Sequence, residues 1–112
     1  MRQTAFLLLL LLFVFTGRGS EPVTITGELV DLHCYTTRGA QGETHAGCAN
    51  ACISRGVPAG LVAEDGTLYL LLDEKPFSVK DKVAGKAGKK VTARGTVVER
   101  GGMKALQITS IE

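Results

Sequence analysis

The run Gly88-Lys89-Lys90-Val91-Thr92-Ala93-Arg94-Gly95-Thr96-Val97-Val98-Glu99-Arg100-Gly101-Gly102-Met103 decides how the rest of this chain is read. From 90 to 98 it alternates. Val91, Ala93, Gly95 and Val97 fall on one side, and Lys90, Thr92, Arg94 and Thr96 on the other. Successive side chains of a strand point to opposite faces, so the pattern predicts a half-buried strand. Gly101-Gly102 predicts a tight turn, because glycine takes positive φ without a steric penalty. Residues 103–111 then return as the last strand.

Working back from this hairpin, Ser78-Val79-Lys80-Asp81 has the form of a capping box. Val79 and Val83 share a helical face and Gly85 ends a short helix. Residues 67–72, Thr-Leu-Tyr-Leu-Leu-Leu, are apolar on both faces and predict a central, buried strand. Asp65-Gly66 joins them to a strand over 60–63 with the signature of a two-residue hairpin. Residues 44–55 predict a helix that Thr44 caps and Gly56 and Pro58 stop. The polar, Gly- and Thr-containing stretch 33–47 predicts a long loop. Val23-Thr24-Ile25-Thr26 alternates, and Gly27 interrupts it before Glu28-Leu29-Val30, which predicts a strand with a bend or bulge.

The order is strand, cysteine-bearing loop and helix, two strands, short helix, two strands. That is a mainly β chain, a five-stranded OB-like barrel with a short helix between strands 3 and 4 and a Cys/His-bearing loop-helix insertion after strand 1. On the run 88–97, its Gly turn and its last strand, the chain resembles small exported bacterial OB-fold-like proteins. Asp31-x-x-Cys34-Tyr35, His45-x-x-Cys48-x-x-x-Cys52 and Gly56-x-Pro58 are similar to a segment found in a set of such proteins. The resemblance implies a barrel and an exported setting, and brings no activity with it.

The N-terminus agrees with export. Met1-Arg2 is basic, 5–15 is an apolar run, and Gly17, Gly19 and Ser20 are small. This predicts a signal peptide over 1–19, one domain over 20–112, and a periplasmic or secreted protein. A membrane span needs about 20 apolar residues, so none is expected once the leader is removed. The chain has 13 Lys and Arg against 11 Asp and Glu. Arg2 and Arg18 belong to the leader, so the mature domain is balanced. Balanced charge, no Trp and a single Phe (Phe77) outside the leader argue against a nucleic-acid binder, which needs excess positive charge and stacking aromatics. The charge is uneven, however. Lys80, Lys82, Lys86, Lys89, Lys90, Arg94, Arg100 and Lys104 crowd the last third, as a solvated face or as a docking surface for an acidic protein partner. Nothing resembles a hydrolytic active site. Ser20, Ser54, Ser78 and Ser110 have no evident base. Glu64-Asp65 and Asp73-Glu74 fall where turns place carboxylates, and no phosphate-binding glycine loop is present.

The cysteines are more informative. There are three, an odd number, all in the mature domain. His45, Cys48 and Cys52 are spaced i, i+3 and i+7, one stripe of a helix. Cys34, at the end of the first strand, reaches the same neighbourhood. Thiolates with an imidazole suit Cu(I) or Zn(II). All four together suit tetrahedral zinc, whereas the helix stripe alone suits three-coordinate Cu(I). Two alternatives use the same residues. Cys34 bridged to Cys48 or Cys52 would staple an interaction module and stabilise it by about 2–4 kcal/mol. Cys48 and Cys52 would otherwise serve in thiol–disulfide exchange. Around them, Asp31 reads as a strand-end carboxylate bonding loop amides, or as an acceptor for a ligand imidazole. Tyr35 reads as a half-buried loop residue. His33 faces away from Cys34 on an extended chain, and Arg38 and Arg55 are solvated.

Overall fold

In the computed structural model, which describes residues 21–112, β4 (Lys90–Arg100) follows its alternation: Val91, Ala93 and Gly95 are buried, and Lys90, Thr92 and Arg94 are exposed. It turns into β5 (Met103–Ile111) through Gly101 and Gly102, at φ 59° and 82°, with Arg100 opposite Met103. Two consecutive positive φ values are what a two-residue hairpin matching the strand twist requires. The leader expected over 1–19 lies outside the described residues.

β1 (Val23–Asp31), β2 (Ala59–Ala63), β3 (Leu68–Leu72), β4 and β5 close a barrel in the order β1-β2-β3-β5-β4. Only the β3–β5 pair is parallel. α1 (Leu32–Arg38) and α2 (Ala46–Ser54) lie between β1 and β2, and α3 (Val79–Lys82) lies between β3 and β4. This is the mainly β, OB-like barrel that the sequence predicts. β1 closes it by pairing with β4 along its first half and with β2 along its second, and Gly27 faces partners on both sides, Val91 and Ala63. A side chain at Gly27 would run into the Val62 carbonyl, so glycine is what lets β2 approach so closely; the bend or bulge expected at Gly27 does not appear in its continuous register, and the irregularity lies in β4, between Arg94 and Gly95.

The core is Leu29, Leu61, Leu71, Val91, Ala93, Leu106 and Ile108 from the strands, joined by Val83 and Ala87. Ala49 and Ile53 of α2 complete it, so one face of the insertion belongs to the core.

Several local expectations are corrected. The turn between β2 and β3 places three residues, 64–66, between the bonded pair Ala63 and Thr67, rather than two. Gly66 N–H bonds the Ala63 carbonyl at 2.9 Å, Ala63 N–H bonds the Thr67 carbonyl at 2.8 Å, and the Asp65 carboxylate accepts from Thr67 N–H at 2.9 Å. Asp65 therefore builds a turn with a bulged glycine instead of occupying a two-residue turn. β3 is not buried on both faces: Leu71 is buried, but Leu68 and Leu70 are half-covered and Leu72 is exposed. Leu32 and Thr36 of α1 and Met103 line an open groove of about 460 Å³ with Leu68 and Leu70. Ser78 makes no capping bond to α3; its hydroxyl goes to the Asp73 carboxylate and the Lys75 carbonyl. Two of the basic residues of the last third are neutralised, Lys82 by Asp73 at 2.7 Å and Lys90 by Glu64 at 2.8 Å. Among the described residues, no helix is long and apolar enough to cross a membrane.

Candidate metal centre

The stretch expected to be a long loop begins as a helix. Asp31 is extended (φ −79°, ψ 130°) and its Oδ1 accepts from Cys34 N–H at 2.7 Å, which caps the first turn of α1. Gly39, at φ 68°, ends the helix by donating to the Tyr35 carbonyl. The sequence 32–38 has no apolar periodicity and no acidic residue in its first turn, so the cap at one end and the glycine at the other define it. Being helical changes where its side chains go. Cys34 becomes buried, 5% exposed, His33 is exposed, and Arg38 sits one turn after Cys34.

The chain then reaches α2 through a 3-10 turn at Glu43–His45. Thr44 lies inside that turn and does not cap α2; His45 occupies the capping position without a side-chain bond to the helix. Polar staples hold this segment to the barrel. Glu28 Oε2 accepts from Gly42 N–H at 2.9 Å. Asn50 accepts from Ala87 N–H at 3.0 Å and donates to the Ala87 carbonyl at 3.5 Å. Gly88 N–H bonds the Leu29 carbonyl at 2.8 Å, and a side chain on Gly88 would collide with Ala46.

These staples bring His45 over the end of β1. Its Nε2 lies 2.9 Å from Asp31 Oδ2. Asp31, Cys34 and His45 thus form one group whose donor atoms lie within 4.8 Å of one another. Asp31 is fully buried and the His45 side chain is 16% exposed. Of the four residues expected to bind metal, the structure joins Cys34 and His45 in this group and adds Asp31. Cys48 and Cys52 lie outside that 4.8 Å group; Cys48 is exposed and Cys52 half-buried on α2. All three cysteines are free thiols, and no bridge joins Cys34 to either of the others.

The electrostatics separate the roles. Burial pushes the Asp31 carboxyl up, but the Cys34 amide, the His45 ring and the Cys34 thiol together hold it below its ordinary value. With one oxygen on Cys34 N–H and the other on the His45 ring, Asp31 has the geometry of a carboxylate that orients an imidazole. That leaves His45 Nδ1 as the free ring donor. Burial, then Asp31, push the Cys34 thiol up, against the opposing charge of Arg38, whose Nη2 donates to Cys34 Sγ at 3.2 Å. Burial also raises the Cys52 thiol, followed by its neighbour Cys48 and then by Asp31 and Cys34. A nucleophilic or exchanging thiol is ordinarily depressed by its surroundings. Cys34 and Cys52, both raised, lack that feature.

Sequence reading missed two participants. Arg38 was expected in solvent; its contact follows from α1 being a helix, which puts i and i+4 on one face. Asn50 carries no sequence signature, because its partner, Ala87, is distant in the chain. No protein-family model, no curated protein and no solved structure matches the chain. The fold and the donor geometry define its class: an OB-like barrel with a buried Asp/Cys/His group that can hold a metal ion.

Proposed function

We propose that this is a small exported metal-binding protein that holds Cu(I) or Zn(II) through Cys34 and His45, with the α2 thiols Cys52 and Cys48 completing the ligand set and Asp31 orienting the histidine. One observation carries the reading: a buried thiol and an imidazole converge within 4.8 Å on a carboxylate that already grips the ring. Thiolate and imidazole donors select Cu(I) and Zn(II) over hard cations such as Mg(II) and Ca(II). The export half of the proposal rests on the leader pattern of residues 1–19, and predicts a mature chain that begins at Ser20.

The test is metal analysis of the 20–112 protein, purified anaerobically and reconstituted with each ion in turn. About one ion per chain is expected, released together with protons as pH falls, since the thiols must be deprotonated to bind. Binding to the folded state alone also raises Tm as free metal rises above Kd. Less than about one ion per several chains with both metals, and no shift in Tm, would leave the centre without a function of this kind.

A further inference from the structure

We propose that Arg38 sets the ion preference of this centre: its guanidinium, held beside the Cys34 sulfur, opposes a divalent ion more than a monovalent one and so favours Cu(I) over Zn(II). The inference rests on the metal-binding reading above and chooses between the two ions which that reading leaves open.

The argument uses the convergent group alone. Asp31 Oδ1 is taken by Cys34 N–H and Oδ2 by the His45 ring. Within that group, the donors left to face an ion are the Cys34 thiolate and the free ring nitrogen of His45. Arg38 stands in the last turn of α1, and its Nη2 donates to Cys34 Sγ at 3.2 Å. A guanidinium does not lose its proton in a protein, so this charge is permanent. A metal–thiolate bond is about 2.3 Å long, which keeps an ion on Cys34 within about 5.5 Å of the Arg38 nitrogen.

Charge then discriminates between the ions. In the bound state Asp31 and the Cys34 thiolate are negative, Arg38 is positive and the ligand imidazole is neutral. A single positive charge balances that group, and Cu(I) supplies it. Zn(II) leaves an excess positive charge against Arg38, and its repulsion from the guanidinium is twice that of Cu(I). Either ion displaces the Cys34 proton, so that cost is common to both and does not affect the preference. Cys34 is buried, which strengthens the repulsion, whereas Arg38 is exposed, so water screens part of it. Whatever the α2 thiols contribute is the same in every variant compared below.

Substitution of Arg38 tests the proposal. Arg38→Gln removes the charge and keeps a donor, Arg38→Met removes both, and Arg38→Lys keeps the charge. The side chain is exposed at the end of a short helix, and circular dichroism checks each fold. Affinities are measured anaerobically by competition, against bathocuproine disulfonate for Cu(I) and pyridylazoresorcinol for Zn(II). The readout is the ratio of the two affinities, because a change that merely loosened α1 would weaken both ions together. Arg38→Gln and Arg38→Met are expected to shift the ratio roughly tenfold toward Zn(II), a Coulomb difference reduced by solvent. Arg38→Lys is expected to stay within about threefold of the wild type, since it retains the charge. An unchanged ratio in both neutral variants, a shift toward Cu(I), or a lysine variant that behaves like the neutral ones overturns the proposal. A wild type that binds Zn(II) but not Cu(I) also overturns it, while the metal reading stands. A wild type that retains neither ion overturns the metal reading and this inference with it.

Discussion

Leu106 and Asp31 are both fully buried, yet they stabilise two regions in different ways. Leu106 lies in the barrel, among apolar side chains brought together from all five strands. Asp31 stands where β1 hands over to the insertion, and each of its oxygens is committed to one polar group. Burial of apolar area is non-directional and spread over many neighbours. The insertion relies on directional contacts, the Glu28–Gly42 bond, the Asp31 bonds and the Asn50–Ala87 pair, on top of two core side chains from α2. The barrel is therefore expected to behave as one cooperative unit, and the segment carrying the thiols as a separable layer upon it.

The largest test strikes the barrel. Leu106→Ala removes a fully buried side chain and is expected to cost about 2–5 kcal/mol. For a domain of this size that lowers Tm by roughly 10 °C or more, measured by thermal unfolding. All probes, metal release included, should lose their native signal together. If the thiol layer survived while the barrel melted, the order of dependence described here would be reversed.

The second test strikes the junction. Asp31→Ala removes the α1 cap, for about 1–2 kcal/mol, and the acceptor that orients His45. Metal affinity is expected to fall roughly 10–100-fold, the usual cost of losing such a partner. Asp31→Asn keeps an acceptor for Cys34 N–H, so it should restore most of the stability and little of the affinity. Equal affinity in the wild type and both variants, by competition titration, would show that the carboxylate does not position the ring.

The third test asks how separable the layer is. Asn50→Ala leaves Ala87 N–H without its partner and is expected to cost about 1 kcal/mol. Hydrogen exchange should quicken across residues 43–54 while the strand amides keep their protection. Uniform loss of protection would mean that insertion and barrel open as one.

The contrast between the regions also explains what could be read from sequence. Alternation over the first half of β4 and the Gly101-Gly102 turn are local signals, and each appears as expected. Cys34 and His45 were legible as donors because thiol and imidazole are rare and clustered. Asp31 was legible as an acceptor for a loop amide or for a ligand imidazole, and it serves both, whereas Arg38 was not read as a neighbour. Asp31 and Arg38 join Cys34 only because 32–38 is helical, and that helix is specified by its ends rather than by a periodic face. The Asp31–His45 contact spans an intervening turn whose path depends on Glu28 and Gly88, residues with no motif of their own. β3 misled for the opposite reason. Its apolar pattern was clear, but among the described residues only the edge of α1 reaches over its outer face, and Leu72 is exposed.

The smallest expected effect lies in the connection between β3 and α3 and provides a control for the others. Hydrogen bonds from Lys82, then Ser78, pull the Asp73 carboxyl down to about 2. An unfolded aspartate titrates near 3.8, so the folded state binds the proton less readily. The resulting stabilisation is complete above the unfolded value and disappears as pH falls through about 2. Asp73→Asn should therefore flatten the loss of stability between about pH 4 and 2, read from denaturant midpoints across that window. The gain is modest because Lys82 is partly solvated and its charge is screened. Metal binding at neutral pH should be unchanged, since Asp73 belongs to neither α1 nor α2. A variant that altered metal affinity would couple the β3–α3 connection to the donor group, and the insertion could no longer be treated as a layer of its own.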